Sequence, residues 1–210
     1  MYLSRVELDI TNRNTLKALS NRNCFHAAIA YCFQGEKVLW RLDCVKSKYY
    51  LLLVSRTKAD LSHMQKEFGN SDTAFESLDY TTLFSRITEG QDWHFRLAAN
   101  PVKSCKTGEN SKERGKTHAH VTVHHQQEWL KTRAPKYGFS VSDDNFKVVA
   151  SEWITFKKRE SKNKIILLSV VFEGKLTVTD PSLFKQALQE GIGKGKAYGL
   201  GMISVARPKI

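Results

Sequence analysis

The chain has 210 residues, enough for one large domain or two small ones, and 33 Lys and Arg against 21 Asp and Glu give it a formal charge of +12. No run approaches the ~20 apolar residues of a spanning helix, and Met1 leads into Tyr2–Leu8 with no secretory leader, so membrane-spanning and exported classes are set aside. Residues 1–90 carry 12 basic and 10 acidic side chains and residues 91–210 carry 21 and 11, the asymmetry expected of a footprint for a polyanion, nucleic acid before an anionic membrane surface.

Tyr2 to Leu8 alternates apolar and polar residues and predicts a strand. Asp9, Thr11 and Asn12 supply turn and capping chemistry before a helical region. Phe25, Ile29 and Phe33, with Ala28 and Cys32 in the same stripe, predict a short amphipathic helix ending near Gln34-Gly35. Val38–Asp43 and Tyr49–Ser55 read as strands around a Lys46-Ser47-Lys48 turn, Ala59–Phe68 as a helix, and a fourth strand falls between Ala74 and Ile87. Trp93–Ala98 restarts the pattern up to Pro101, and the polar stretch Lys103–Lys116 reads as a mobile loop. Gln126–Tyr137 predicts a helix with Trp129 and Leu130 inward. Phe146–Phe156 and Ile165–Phe172 are strands, with Lys175–Thr179 continuing the second after Gly174. Pro181 opens a last helix and Leu200–Val205 is a last strand. The order β-α-β-β-α-β thus occurs twice. It predicts an α+β chain of two tandem ferredoxin-like (RRM-like) units, over residues 1–90 and 91–210.

Cys24, Cys32, Cys44 and Cys105 form no Cys-x-x-Cys pair and read as reduced thiols of a cytoplasmic protein. His118, His120, His124 and His125 lie close in sequence, but no Asp, Glu or Cys stands at a ligand spacing beside them. A polar strand-to-helix junction explains them, and no metal site is expected. Gly191, Gly193, Gly195, Gly199 and Gly201 crowd eleven residues with Lys194 and Lys196 between them. Walker A chemistry needs Gly-Lys followed by Ser or Thr, and here Gly195 follows Lys194 and Ala197 follows Lys196. The dinucleotide fingerprint lacks its third glycine, and the loop follows a helix where both motifs precede one. A helix stop explains one glycine; five with two lysines predict a loop whose amides and ammonium groups hold a phosphate backbone. Gly193, Lys194, Gly195, Lys196 and Gly199 are its candidate contacts.

The run Lys157-Lys158-Arg159-Glu160-Ser161-Lys162-Asn163-Lys164 joins two predicted strands. A solvated hairpin tip accounts for its charge; in the same half as the glycine loop it reads as a basic ribbon against an RNA stem. The narrow, deep A-form major groove leaves phosphates as the contacts for Lys157, Lys158, Arg159 and Lys162. His26 sits ~100° around its helix from Phe25, beside Arg22, Asn23 and Ala30. Periodicity leaves it either a boundary residue or a proton-transfer group.

Several segments carry a family resemblance: Met1-Tyr2-Leu3-Ser4-Arg5-Val6, the helix bearing His26 before Trp40-Arg41-Leu42, Phe95-Arg96-Leu97-Ala98-Ala99-Asn100-Pro101, Gln127-Glu128-Trp129-Leu130, Phe172-Glu173-Gly174-Lys175-Leu176 before Asp180-Pro181, and the terminal glycine loop. In order and over almost the whole chain, they resemble the CasE family of CRISPR precursor-RNA endoribonucleases of the type I-E effector complex. The resemblance implies tandem ferredoxin-like units that bind the CRISPR repeat hairpin and cut at its 3′ base without metal or cofactor. It implies 2′-hydroxyl attack, leaving a 2′,3′-cyclic phosphate and a 5′-hydroxyl, with His26 in proton transfer. It also implies that the processed RNA stays bound while the protein serves beside the other subunits of that complex. Two positions depart from the family pattern. Asn23 stands where a tyrosine is frequent, and Tyr31 where some members have a lysine; both are candidate support for His26. An amide orients a phosphate but exchanges no proton, so a hairpin-RNA-binding subunit that does not cut is the alternative from another class. A sequence-tolerant single-strand binder is a third.

Overall fold

The structure is a computed structural model, and it describes residues 1–70, 75–105, 116–157 and 164–208. Strand β1 (Tyr2–Leu8) ends at Asp9, and Asn12 then caps α1 (Arg13–Ser20), its side chain accepting from the Asn14 amide. Helix α2 (Asn23–Cys32) buries Phe25, Ala28 and Ile29 on the stripe that the sequence predicts. Strands β2 (Leu39–Val45) and β3 (Lys48–Ser55), helix α3 (Ser62–Phe68) and β4 (Glu76–Asp79) follow, and a short α4 (Thr81–Ser85) leads out. The sheet order is β2-β3-β1-β4, antiparallel throughout, with Val6 opposite Leu51 and Ser4 opposite both Leu53 and Ser77. Strand β3 is buried on both faces, which is why it reads as an almost unbroken apolar run. Leu51 and Leu53 join the core under α2 and α3 with Val6, Phe25, Trp40, Met64 and Phe68, while Val54 faces the second half of the chain.

The second half builds β5 (Asp92–Ala99), β6 (Val102–Cys105), β7 (Lys116–Ala119), α5 (Val123–Arg133), β8 (Phe139–Ser140), β9 (Phe146–Lys157), β10 (Lys164–Val178), α6 (Pro181–Glu190) and β11 (Ile203–Ala206). Its sheet runs β11-β5-β10-β8, with β9 also paired to β10. Its core holds Trp93, Phe95, Leu97, Trp129, Leu130, Phe139, Phe172 and Phe184, each fully buried apolar side chain contributing roughly 1.5–3 kcal/mol.

Four local readings are corrected. The expected loop from Lys103 begins as strand, because Val102–Cys105 pairs with Lys116–Ala119; residues 106–115 lie outside the described ones. Helix α5 starts three residues early, where the Thr122 side chain accepts from the His125 amide, and passes into a 3-10 turn, Ala134–Tyr137, at Pro135, which has no N–H for the helical ladder. Strand β10 runs unbroken past Gly174, which is extended between Phe95 and Phe146. The last strand starts at Ile203, since the Gly201 amide instead donates to the Ala98 carbonyl and holds Leu200 in the turn.

The two sheets meet on a charged clamp. Arg41, 2% exposed, donates from Nε and Nη2 to both carboxylate oxygens of Asp43 at 2.8 and 2.7 Å. Its Nη1 reaches the carbonyls of Arg96 and Met202, and Nη2 also reaches Ser204 Oγ. Arg96 adds a bond to Asp43 and pairs with Glu173. Every partner but Asp43 belongs to the second half. Leaving one charge of such a buried pair alone costs about 3–5 kcal/mol, so the clamp fixes how the halves are set against each other. Tyr80 is buried in the adjoining apolar seam with Leu39, Val54 and Met202, and burial pushes its phenol up to about 12 despite the nearby Arg41.

Candidate functional site

Where the halves meet, a cleft of about 1050 Å³ opens. His26 lines it from α2, Lys37 and Arg56 from the segments flanking β2 and β3, Glu190 from the end of α6, and Lys196 from the glycine loop. The imidazole is exposed because Phe25, Ala28 and Ile29 take the inward face of α2. One turn earlier, Arg22 is buried to 8% exposure; its Nη1 donates to the Tyr198 carbonyl at 3.0 Å and it pairs with Glu152 at 3.4 Å. Burial lowers the guanidinium pKa, with Glu152 opposing. Arg22 therefore ties the start of the His26 helix to the 3-10 turn Lys196–Tyr198.

The glycine loop is fitted closely to that helix and its sheet. Gly199 has φ 78°, and a Cβ there would stand 2.6 Å from the Trp40 ring. Trp40 belongs to the first half's core, so only glycine lets the turn lie on it. Gly193 and Gly195 also turn left-handed, at φ 83° and 88°. Among the described residues nothing accepts a hydrogen bond from the amides of Gly193, Lys194, Gly195, Lys196 or Ala197. Successive amides of this kind form a concavity suited to an anion.

The sequence groups Lys194 with Lys196, but the structure separates them. Lys194 Nζ donates to Ser104 Oγ at 3.1 Å, away from the cleft, whereas Lys196 lines it and is partly buried. Burial lowers the Lys196 ammonium pKa, Lys37 pushes the same way and Glu190 opposes both. Of the residues read as support for His26, Asn23 begins α2 with its amide donating to Asn21 Oδ1, and Tyr31 sets its ring edge-on to His63 at 4.6 Å. Neither lines the cleft. Lys157 ends β9, opposite Lys164 at the far end of the ribbon; Lys158, Arg159 and Lys162 lie outside the described residues.

Sequence reasoning missed Lys37 and Arg56. No periodicity marks them, because each sits in a connection and only the fold brings them to one cleft. Between them, the Glu36 carboxylate accepts from the Arg56 and Thr57 amides and the Thr57 hydroxyl, so it pins that segment. The histidine-rich junction lies elsewhere. His125 Nδ1 is 2.8 Å from Thr122 Oγ1, and His120 has a lowered pKa from burial and from the nearby His125, Lys103 and Arg133. Among the described residues no group of three His, Cys, Asp or Glu is placed to hold a metal ion, and no helix is long and apolar enough to cross a membrane.

This architecture has close relatives. The chain is 25% identical to a protein named CRISPR-associated endoribonuclease Cse3 from Thermus thermophilus, over 98% of this chain and all of the relative. A solved structure of CRISPR endoribonuclease Cse3 bound to a 19-nucleotide RNA superposes with a TM-score of 0.81 at 25% identity, covering 98% of this chain and 100% of that one. A second, of Thermus thermophilus Cse3 bound to an RNA representing a pre-cleavage complex, gives 0.79 at 25% identity with 98% of each chain covered. The resemblance read from the sequence is borne out. Residues 1–207 match the family described as CRISPR associated protein, and this chain belongs to that family.

Proposed function

We propose that the protein is an endoribonuclease that binds the hairpin of a CRISPR repeat RNA and cuts at its 3′ base in the cleft between its halves. The observation that carries this reading is the meeting of His26, from a helix of the near-neutral half, with Lys196, from the basic half, in one cleft. The sheet orders β2-β3-β1-β4 and β11-β5-β10-β9 share one pattern, in which the first strand of each half lies between its third and fourth, and this supports two tandem ferredoxin-like units over 1–90 and 91–210. The similar Cse3 structures hold RNA, which supports RNA as the guest of the basic surface.

The reaction uses a nucleophile that the substrate brings. The ribose 2′-oxygen upstream of the scissile phosphate attacks phosphorus, the O2′–P bond forms and the P–O5′ bond breaks. The 2′ proton leaves to a base, the departing 5′-oxygen gains one from an acid, and the products are a 2′,3′-cyclic phosphate and a 5′-hydroxyl. His26 fills one of those two proton-transfer roles, for which an imidazole is suited at neutral pH. Alignment and charge neutralisation supply the rest, and no metal ion takes part. The amides of residues 193–197 and the lysines of the loop hold the RNA backbone, and Lys157, Lys158, Arg159 and Lys162 grip the stem. The cut RNA stays bound, and the protein acts in the cytoplasm within a larger effector complex.

A cleavage assay on repeat RNA in excess EDTA, with and without a single deoxyribose upstream of the cut, tests the route. Cleavage of the ribose substrate in EDTA and none of the deoxy substrate is expected. Binding of both with cleavage of neither would favour the hairpin-holding subunit, which Asn23 in place of a phenol keeps in view.

A further inference from the structure

We propose that Lys196 is the cation that neutralises the scissile phosphate as negative charge builds on its non-bridging oxygens. The inference rests on the endoribonuclease reading and assigns one group at that site a distinct task.

Of the three lysine and arginine side chains lining the cleft, Lys37 and Arg56 are exposed and Lys196 alone is partly buried. Its stem lies close over Gly201, where a Cβ would sit 3.3 Å from Lys196 Cγ, and its residue lines the cleft. Among the described residues none of Lys37, Arg56 and Lys196 forms an ion pair. Glu36 is engaged with the backbone of Arg56 and Thr57, which leaves Glu190 as the acidic group facing Lys196, against Lys37, Arg56 and the imidazole of His26. Such a cluster is short of negative charge until an anion enters. The amides of Lys196 and Ala197 belong to the same wall and donate to no partner among the described residues. A partly desolvated ammonium acts more strongly on developing charge than a solvated one. Arg22 holds the Lys196–Tyr198 turn against the His26 helix, so the cation and the proton-transfer group are set by one contact.

The test compares wild type, Lys196→Met and Lys196→Arg. Methionine keeps the stem over Gly201 and removes the charge; arginine keeps a charge. Single-turnover cleavage of repeat hairpin RNA is measured at saturating protein, with affinity read on the 2′-deoxy analogue and folding by Tm. We expect Lys196→Met to lose roughly 10²-fold in rate, the scale of one lost donor to a developing oxyanion, with affinity within about threefold. Lys196→Arg should recover most of the rate. Burial lowers the Lys196 pKa, so its charge is lost at a lower pH than an ordinary lysine's; the wild-type rate should fall on the alkaline side, and arginine, which keeps its charge, should extend that limb upward. A rate for Lys196→Met within about threefold of wild type, or a loss confined to affinity, overturns the assignment and leaves the endoribonuclease reading standing. Failure of the wild type itself to cut bound hairpin overturns both.

Discussion

The two halves of the molecule differ more in charge than in architecture. Both set antiparallel strands against helices, yet residues 1–90 are within two charges of neutral while residues 91–210 carry ten net positive charges. The near-neutral half offers the cleft an imidazole on a helix, and the basic half offers the loop and ribbon that suit an RNA backbone. Under the proposed function, affinity and chemistry are drawn from separate surfaces. Arg41 and Arg22 tie the two surfaces together, through the Arg96 and Tyr198 carbonyls.

The sharpest way to break that division is His26→Ala. Single-turnover cleavage of the repeat hairpin is expected to fall by about 10²–10⁴, with affinity for the deoxy analogue nearly intact. Parallel losses in rate and affinity would show the two surfaces to be one. The converse experiment replaces Lys157, Lys158, Arg159 and Lys162 together by alanine. Here the deficit belongs in binding: the slope of log affinity against log salt should flatten by roughly 0.7–0.9 for each phosphate that these side chains no longer neutralise. An unchanged salt slope would return that run to a solvated hairpin tip. The smallest effect tests the seam. Gly199→Ala puts a Cβ against Trp40 at a positive φ, and a cost of about 1–3 kcal/mol is expected as a lowered Tm, with cleavage weakened because the Lys196 turn is displaced. An alanine variant with wild-type Tm and rate would show the turn free to shift without consequence.

Much of the molecule was legible in the chain before its fold was known. The stripe of Phe25, Ala28 and Ile29 fixed the inward face of α2 and so left His26 outward. Asp180 and Pro181 marked the start of α6, where the Asp180 side chain accepts from the Ser182 and Leu183 amides. Strand β6 was not legible, because its partner β7 lies across a polar stretch and the pairing is non-local. The parting of Lys194 from Lys196 was hidden for a similar reason. Two residues apart in an irregular turn, they diverge because Gly195 is left-handed and Ser104 waits on one side only.

By itself, the sequence determined the main strands and helices, the helix faces, the charge asymmetry and a set of candidates for binding phosphate or moving a proton. All of these follow from near-neighbour periodicity and composition. Only the tertiary structure decided that Lys37, Arg56 and Lys196 share a cleft with His26, and that Tyr31 turns to His63 instead. That choice depends on contacts between residues far apart in the chain, such as Arg22 with Tyr198 and Trp40 with Gly199, and no local pattern encodes which distant backbone a side chain will meet.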